Sequence, residues 1–359
     1  MFLSRSLWLG LGVSLLFVVL FLRTIDVNNM MNSLAGTKYQ YILLATGIYF
    51  ASLFCRAMRW SYLLSTFRPI EARKLFPIVA VGYMSNNLLP ARLGEIVRAY
   101  FLKTREGFRV STTLATIIIE RVYDGITCVL IAAVCIPVLV YTGVFELNEF
   151  TFDLSWVVAG ISIAVVFLIA LICLILFGTK KKLRGILLRP LAIIPHNMRN
   201  KIVEFISLFL DGLSILKYPQ RHFRLLGWSL LIWMLESIVF FVTSLAFDMP
   251  GLFDNVILFI PAILLVTTVT NITTSIPALP GSIGIFELTG LKIITFMGIN
   301  SGVAGAFILI THLVVLVPVT VLGLIYLWYG NISLMNIMKK GDTGSIDKDP
   351  IINCEITEI

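Results

Sequence analysis

The stretch NNLLPARLGE, Asn86 to Glu95, places two amides, a proline, an arginine, a glycine and a glutamate inside an otherwise apolar chain. How that interruption is read decides the fold. Of 359 residues, 58% are hydrophobic and 13% charged. The mean hydropathy is +0.95. Soluble globular domains do not reach such values, so the chain reads as an integral membrane protein. Its apolar runs are long enough to cross about 30 Å of hydrocarbon as helices, and the alternation of barrel strands is absent. The expectation is an all-α polytopic membrane protein.

Full spans are expected near 6–22, 41–62, 112–141, 154–177, 225–247 and 303–329, and two further stretches, 75–103 and 253–299, are apolar but broken. That makes about eight hydrophobic segments. The first run follows Arg5 and resembles the apolar core of a signal peptide, but no small-residue cleavage site precedes Arg23, so it reads as a retained helix. The cysteines (Cys55, Cys128, Cys135, Cys173, Cys354) show no CxxC spacing, which implies neither a disulfide framework nor a zinc site. No cofactor is expected. The net charge of +8 fits cytoplasmic loops better than nucleic acid.

Lysines and arginines set the topology. Arg59, Arg68, Arg73 and Lys74 follow the second span, and Lys180, Lys181, Lys182, Arg184, Arg189, Arg199 and Lys201 follow the fourth, so both loops are expected in the cytoplasm. Glu146, Glu149 and Asp153 have no basic neighbour, so their loop is expected outside. A full crossing from Leu75 to Leu89 would deliver Arg92, Arg98, Lys103, Arg105 and Arg109 to the outside. It would also be only ~22 Å long. A re-entrant helical hairpin that turns at Asn86 to Pro90 and returns along 91–103 removes both conflicts. Asp248 and Asp254 start the second broken stretch outside, and Pro277, Pro280, Gly281 and Gly284 break it at depth. A second re-entrant hairpin, opening outward, returns the chain near Asn300. Lys339 and Lys340 then place the last span's end inside. Both termini are expected in the cytoplasm and the protein in the cell membrane.

The resulting order is span, span, hairpin, span, and then the same again upside down. This is an inverted repeat of the transporter kind, in which paired Gly/Pro-interrupted segments mark the substrate site. The halves share Pro90, Gly94, Glu95 against Pro280, Gly284, Glu287. Residues 1–141 form the first half; 142–224 hold the outer loop, the fourth span and a cytoplasmic amphipathic helix with Lys201, Glu204, Ser207, Asp211 and Ser214 on one stripe. Residues 225–330 complete the second half, and 331–359 read as a disordered cytoplasmic tail.

Polar groups at membrane depth cost about 2.5 to 3.5 kcal/mol each and need partners or a purpose. The substrate-binding candidates are Asn86, Asn87, Pro90, Arg92, Gly94, Glu95 and Arg98 in the first hairpin, Glu120, Arg121 and Asp124 in the third span, and Pro280, Gly281, Gly284 and Glu287 in the second hairpin. Glu95 and Arg98 are spaced to pair on one helix face. Helices restarting after Pro90 and after Pro280-Gly281 would aim free N–H groups at an anion. Several residues read more plainly: Arg56 and Arg59 as snorkelling interface residues beside Trp60 and Tyr62, His312 as a packed core histidine, and His196 and His222 as loop residues. Asn271-Ile-Thr273 and Asn331-Ile-Ser333 match the glycosylation pattern, but one is expected in the membrane and the other inside, so both are set aside. No metal site is expected, and no GxxxxGK[ST], HExxH, GxSxG or dinucleotide motif occurs. No catalytic residue is assigned.

RAMRWSYLL (56–64), NNLLPARLGEIVRAYFL (86–102), ERVYD (120–124) and IPALPGSIGIFE (276–287), in this order, resemble the flippase-like transmembrane domain of the lysylphosphatidylglycerol synthase family. The resemblance covers about residues 5 to 330. It implies movement or presentation of an anionic or lipid-linked substrate. No soluble aminoacyl-transferase stretch follows the bundle, so lysyl-lipid synthesis is not carried over. The leading expectation is a flippase- or scramblase-like translocase for an anionic phospholipid or a polyprenyl-phosphate-linked glycan. Two alternatives stay open. One is an accessory subunit or transferase that presents a lipid-linked substrate to a glycosyltransferase or lipid-synthesis enzyme; the other is an ion-coupled carrier of a small anion. Membrane lipids are the expected partners, and nucleic acid is not.

Overall fold

The computed structural model describes residues 16–89, 92–144, 154–180, 196–253, 255–274 and 280–329, with isolated positions 183 and 185. Pro90, Pro277, Glu146, Glu149, Asp153, Asp254, most of the 180–195 loop, the tail after 329 and most of the first apolar run lie outside the described residues. The described residues are helical, with no β-strand among them. The helices are α1 (16–24), α2 (Val27–Ala35), α3 (Tyr39–Leu64), α4 (Ala72–Leu88), α5 (Gly94–Glu106), α6 (Val110–Tyr141), α7 (Leu154–Thr179), α8 (His196–Gly212), α9 (Pro219–Leu245), α10 (Val256–Thr273), α11 (Ile285–Phe296) and α12 (Ser301–Tyr329).

Among the described residues, six helices are long and apolar enough to cross a membrane: α3, α6, residues Ser162–Thr179 of α7, α9, α10 and α12. Five match expected spans. The sixth, α10, falls in the second broken stretch, where the sequence reading placed a hairpin arm. Its 18 residues extend ~27 Å, whereas α4, α5 and α11 reach only ~25, ~20 and ~18 Å. The amphipathic stretch splits into α8 and a 3-10 turn, Leu213–Lys217. Leu210, Leu213, Ile215 and Leu216 are buried there, and α8 packs on α6.

α3 and α9 form the central pair and run antiparallel. At one end, Lys38 N–H donates to Ala246 O at 3.2 Å, and Lys38 Nζ meets Asp248 Oδ1 at 2.7 Å. That bond raises the Lys38 pKa. At the other end, Arg221 reaches Thr66. These contacts fix the ends of both broken stretches. Arg68, just past α3, bonds Glu106 at the end of α5, so α4 leaves from, and α5 returns to, the Arg68 end of the bundle. Past α11, Ser301 Oγ accepts from Asp26 N at 3.3 Å, and Gly302 lies against Asn29 and Met30 of α2, so α10 and α11 both open at the Lys38 end.

Within the first hairpin the arms touch through glycine. A Cβ on Gly94 would lie 2.1 Å from Gly82 O and 2.6 Å from Asn86 N, both backbone atoms that cannot move aside cheaply. Asn86 and Asn87 belong to the last turn of α4, so the turn falls later than expected, at Leu89, which is extended, and Arg92, with φ 55. In the second hairpin, Gly281 (φ 67), Ser282 (φ 56) and Gly284 (φ 93) carry the reversal. Positive φ at Gly281 and Gly284 is the conformation glycine adopts without steric cost.

The hairpin arms pack on helices distant in the chain. α4 packs on α12, and α10 packs on α6. Likewise α5 lies on α6 and α11 on α12, α2 on α12 and α8 on α6. Gly94→Ala should push the α4–α5 arms apart and lower stability by about 1 to 3 kcal/mol. Gly47→Ala, on α3 with nothing within 4 Å of the new methyl, should be neutral or stabilising by up to ~1 kcal/mol. Thermal unfolding midpoints of the purified variants in detergent check both.

Candidate functional site

The charged side chains converge on the space between α3, α6 and α9. Arg56 and Arg59 share one face of α3 through their i,i+3 spacing, and Glu120, Arg121 and Asp124 face them from α6. Arg59 is 1% exposed and grips Asp124 with both terminal nitrogens, at 2.5 and 3.1 Å. It also donates to Ser229 Oγ at 2.6 Å, and its Nε lies 3.6 Å from Glu120 Oε1. Glu120 accepts from Arg98 Nη1 at 2.8 Å, and the Arg98 guanidinium lies 3.7 Å over the Trp60 ring. Arg56 bonds Glu236 Oε1 at 3.0 Å, which Ser52 Oγ also reaches at 2.8 Å. Arg121 lies 3.4 Å from Glu95, 4.0 Å from Asp124 and 3.2 Å from Tyr83 OH. A two-pronged guanidinium–carboxylate contact satisfies donors and acceptors that lipid cannot.

This geometry corrects several readings. Arg56 and Arg59 are buried network members rather than snorkelling residues, and Trp60 is a core residue with no exposed surface. Glu95 pairs with Arg121 of α6, and Arg98 with Glu120; the two do not pair with each other. His312 is no ordinary packed histidine. Its Nδ1 lies 2.6 Å from Glu287 Oε1, its ring stacks on Phe286 at 4.3 Å, and the other Glu287 oxygen accepts from Gly284 N at 2.7 Å. The start of α11 is therefore capped by its own carboxylate, whereas α5 begins at Leu93 with no side-chain cap.

A cavity of about 330 Å³ opens between the hairpins, lined by Arg56, Tyr83, Asn86, Asn87, Arg92, Glu95, Arg121, Asp124, Glu236, Asn271, Gly281, Ser282, Phe286 and His312. Asn87 closes one wall by donating to Leu316 O at 3.2 Å and Thr320 Oγ1 at 2.9 Å. Gly281 sits against Leu316, and a Cβ on it would lie 3.6 Å from Asn87 O, so the two hairpin turns meet here. Gly94 and Gly284 shape the turns; Pro280 opens the short 3-10 turn at the second. Arg98, Glu120 and Glu287 stand behind the lining.

Four arginines, Arg56, Arg59, Arg98 and Arg121, pair with four carboxylates, Glu95, Glu120, Asp124 and Glu236. Arg92 makes no ion pair or side-chain hydrogen bond among the described residues, although it lines the cavity. Asn86 Oδ1 and Trp233 Nε1 are buried without a partner. Sequence reasoning overlooked Glu236, Tyr83 and Trp233. Glu236 was discoverable as the lone carboxylate in its span; the two aromatics carry no separate signal in a chain this rich in aromatics.

The fold and its interior charge network define a polytopic helical membrane protein with a polar central cavity. The chain belongs to the family described as the lysylphosphatidylglycerol synthase transmembrane region, whose model matches residues 7–323. It is 23% identical over 328 residues to a UPF0104 membrane protein of Methanothermobacter thermautotrophicus, covering 88% of this chain and 91% of that one. A UPF0104 membrane protein of Methanocaldococcus jannaschii is 22% identical over 332 residues, covering 87% and 91%. The chain is also 23% identical over 298 residues to the glycosyltransferase AglD of Haloferax volcanii, covering 78% of this chain and 47% of that protein. No solved structure matches the chain at a significant level.

Removing one partner of the central pair strands a buried charge. Asp124→Asn should cost about 3 to 5 kcal/mol, read as a lowered unfolding midpoint in detergent. Asp124→Leu combined with Arg59→Met should recover part of that loss.

Proposed function

We propose that this protein moves a lipid with a phosphate-bearing headgroup across the membrane through the cavity between the hairpins. The observation that carries the reading is Arg92, the one interior arginine left over after the charge pairing above. It lines a polar cavity with the uncapped start of α5 close by in the chain, and both features favour an anion. An apolar bundle gives the acyl or polyprenyl tail a place to remain while the headgroup enters the cavity.

In this reading the two broken stretches are re-entrant, dipping into lipid from opposite faces. Support comes from the short lengths of α4, α5 and α11, from the opening of each hairpin at one end of the bundle, and from the basic loops at the Arg68 end, where Arg68, Arg73, Lys74, Arg105 and Arg109 cluster. That end is cytoplasmic, which places both chain termini inside the cell. The halves α1–α6 and α7–α12 form an inverted repeat. The reciprocal packing of α4 on α12 and α10 on α6 is what an in-plane two-fold relation would produce, and rocking of the halves would expose the cavity alternately. A second reading, delivery of a lipid-linked substrate to a glycosyltransferase, is favoured by the similarity to half of a protein named for that activity.

Reconstitution separates the readings. Vesicles holding the protein and fluorescent phosphatidylglycerol should make the outer-leaflet label exchange faster than empty vesicles, and Arg92→Gln should slow it about tenfold or more, the loss of one charge-assisted hydrogen bond. Arg92→Gln should leave the unfolding midpoint in place. Exchange no faster than in empty vesicles across several phosphate-bearing headgroups overturns lipid movement. Binding of dimethyl phosphate as tight as that of dihexanoyl-phosphatidylglycerol would assign the cavity to a soluble anion instead.

A further inference from the structure

The second hairpin does not repeat the anion chemistry of the first. Glu287 accepts from Gly284 N–H at the start of α11, which sets a carboxylate where an anion would otherwise approach. Beside it lies a buried histidine, which lines the same cavity as Arg92. We infer that Glu287 and His312 form the proton site of this cavity, and that an anion at Arg92 and a proton at His312 are bound together and carried together. The inference rests on the lipid-translocation reading for its cargo, but the proton site itself does not depend on that reading.

The geometry assigns the atoms. A carboxylate only accepts, so the hydrogen between His312 Nδ1 and Glu287 Oε1 belongs to Nδ1. His312 Nε2 is then the basic nitrogen, with no protein partner among the described residues, on a side chain that lines the cavity. A proton arriving from the cavity water adds at Nε2 and gives an imidazolium whose Nδ1–H stays on Glu287. Release to water reverses the step, with no other bond made or broken.

Charge balance supplies the coupling. The interior holds five arginines, Arg56, Arg59, Arg92, Arg98 and Arg121, against five carboxylates, Glu95, Glu120, Asp124, Glu236 and Glu287, with neutral His312. A phosphodiester anion makes that interior negative by one charge, and one proton on His312 restores neutrality. In a low-dielectric interior the unbalanced state is costly, so each ligand strengthens the other, reciprocally. Of the elements packed on α11 and α12, α2 and α10 carry no titratable residue, α3 offers Tyr49 and Arg56, α4 Tyr83 and α9 Glu236; Arg121, Asp124 and Cys128 of α6 line the same cavity with Arg92 and Glu95. Lys292 of α11 is exposed.

The first test needs no transport. In histidine-labelled protein in nanodiscs, the imidazole signals that vanish in His312→Gln should change from the neutral to the imidazolium pattern on acidification, and Glu287→Gln, which keeps an acceptor for Gly284 N–H, should alter that change. Dihexanoyl-phosphatidylglycerol, whose phosphodiester charge stays constant, should bind at least about fivefold tighter at the acid end, the lower edge of ordinary coupling. A His312 fixed in one protonation state, or a response indifferent to Glu287→Gln, overturns the proton site whether or not any lipid moves. In vesicles carrying fluorescent phosphatidylglycerol, a gradient of about one pH unit should enrich the label up to about tenfold in the alkaline leaflet. His312→Gln should abolish that gradient response. Wild-type exchange that ignores the gradient overturns the coupling and leaves lipid movement standing. If no phosphate-bearing lipid moves, the lipid reading fails, and the nanodisc measurement alone decides the proton site.

Discussion

The grip of Arg59 on Asp124 is the constraint around which the bundle is organised. Two charges with almost no exposure, held at 2.5 and 3.1 Å, cannot separate in an apolar bundle without stranding each other. Their mutual hold therefore fixes α3 against α6, and Ser229 adds α9 to the same point. Glu120 extends the contact to Arg98 of α5, so the returning arm of the first hairpin is tied into the network. Glu236 and Arg56 fasten α3 to α9 one turn away. Hydrophobic burial cannot choose among helix pairings when lipid is as apolar as leucine; polar pairs and close small-residue contacts can.

Close approach is the second half of that argument. Gly94 sits so near the backbone of α4 that any side chain would collide with main-chain atoms, and Gly323 and Gly125 likewise receive Met84 and Phe167 where a Cβ would be. These glycines bring helices together where the ionic network has set their order. The hairpin tips carry unusual backbone, with positive φ at Arg92, Gly281, Ser282 and Gly284. Irregular backbone in membranes persists where it lines a cavity, and here it does.

Most of the fold was legible because it depends on periodic, additive signals. Run length and charge bias marked five of the six candidate spans and both broken stretches. The exception, α10, was assigned to a hairpin because the proline-glycine stretch following it broke the apolar run; its own 18 residues are uninterrupted by charge. Pairing was not legible. A sequence shows that Glu95 and Arg98 are spaced to meet on one helix, but not that Arg121 and Glu120 arrive from α6 and separate them. Arg56 and Arg59 looked like interface residues because their carboxylate partners lie 60 to 180 positions away, beyond any local pattern. For the same reason His312, distant in sequence from Glu287, was taken for core.

The two hairpins share an outline but differ in what they do with the N–H groups that every helix start exposes. α5 has no side-chain cap at Leu93, close in the chain to Arg92, which has no ion-pair partner among the described residues, whereas at the start of α11 Glu287 accepts from Gly284 N–H. That carboxylate would be an uncompensated charge at depth if it capped alone, and His312 shares it through a single short bond. A symmetric pair of anion sites would bind its cargo equally at both tips and hold it there. In the proposed function, with one tip positive and the other built from a carboxylate and an imidazole, the headgroup would meet a single strong contact and an adjustable charge within the same cavity. Such an arrangement could release what it binds, because the balance that favours occupancy would change with the charge on the imidazole.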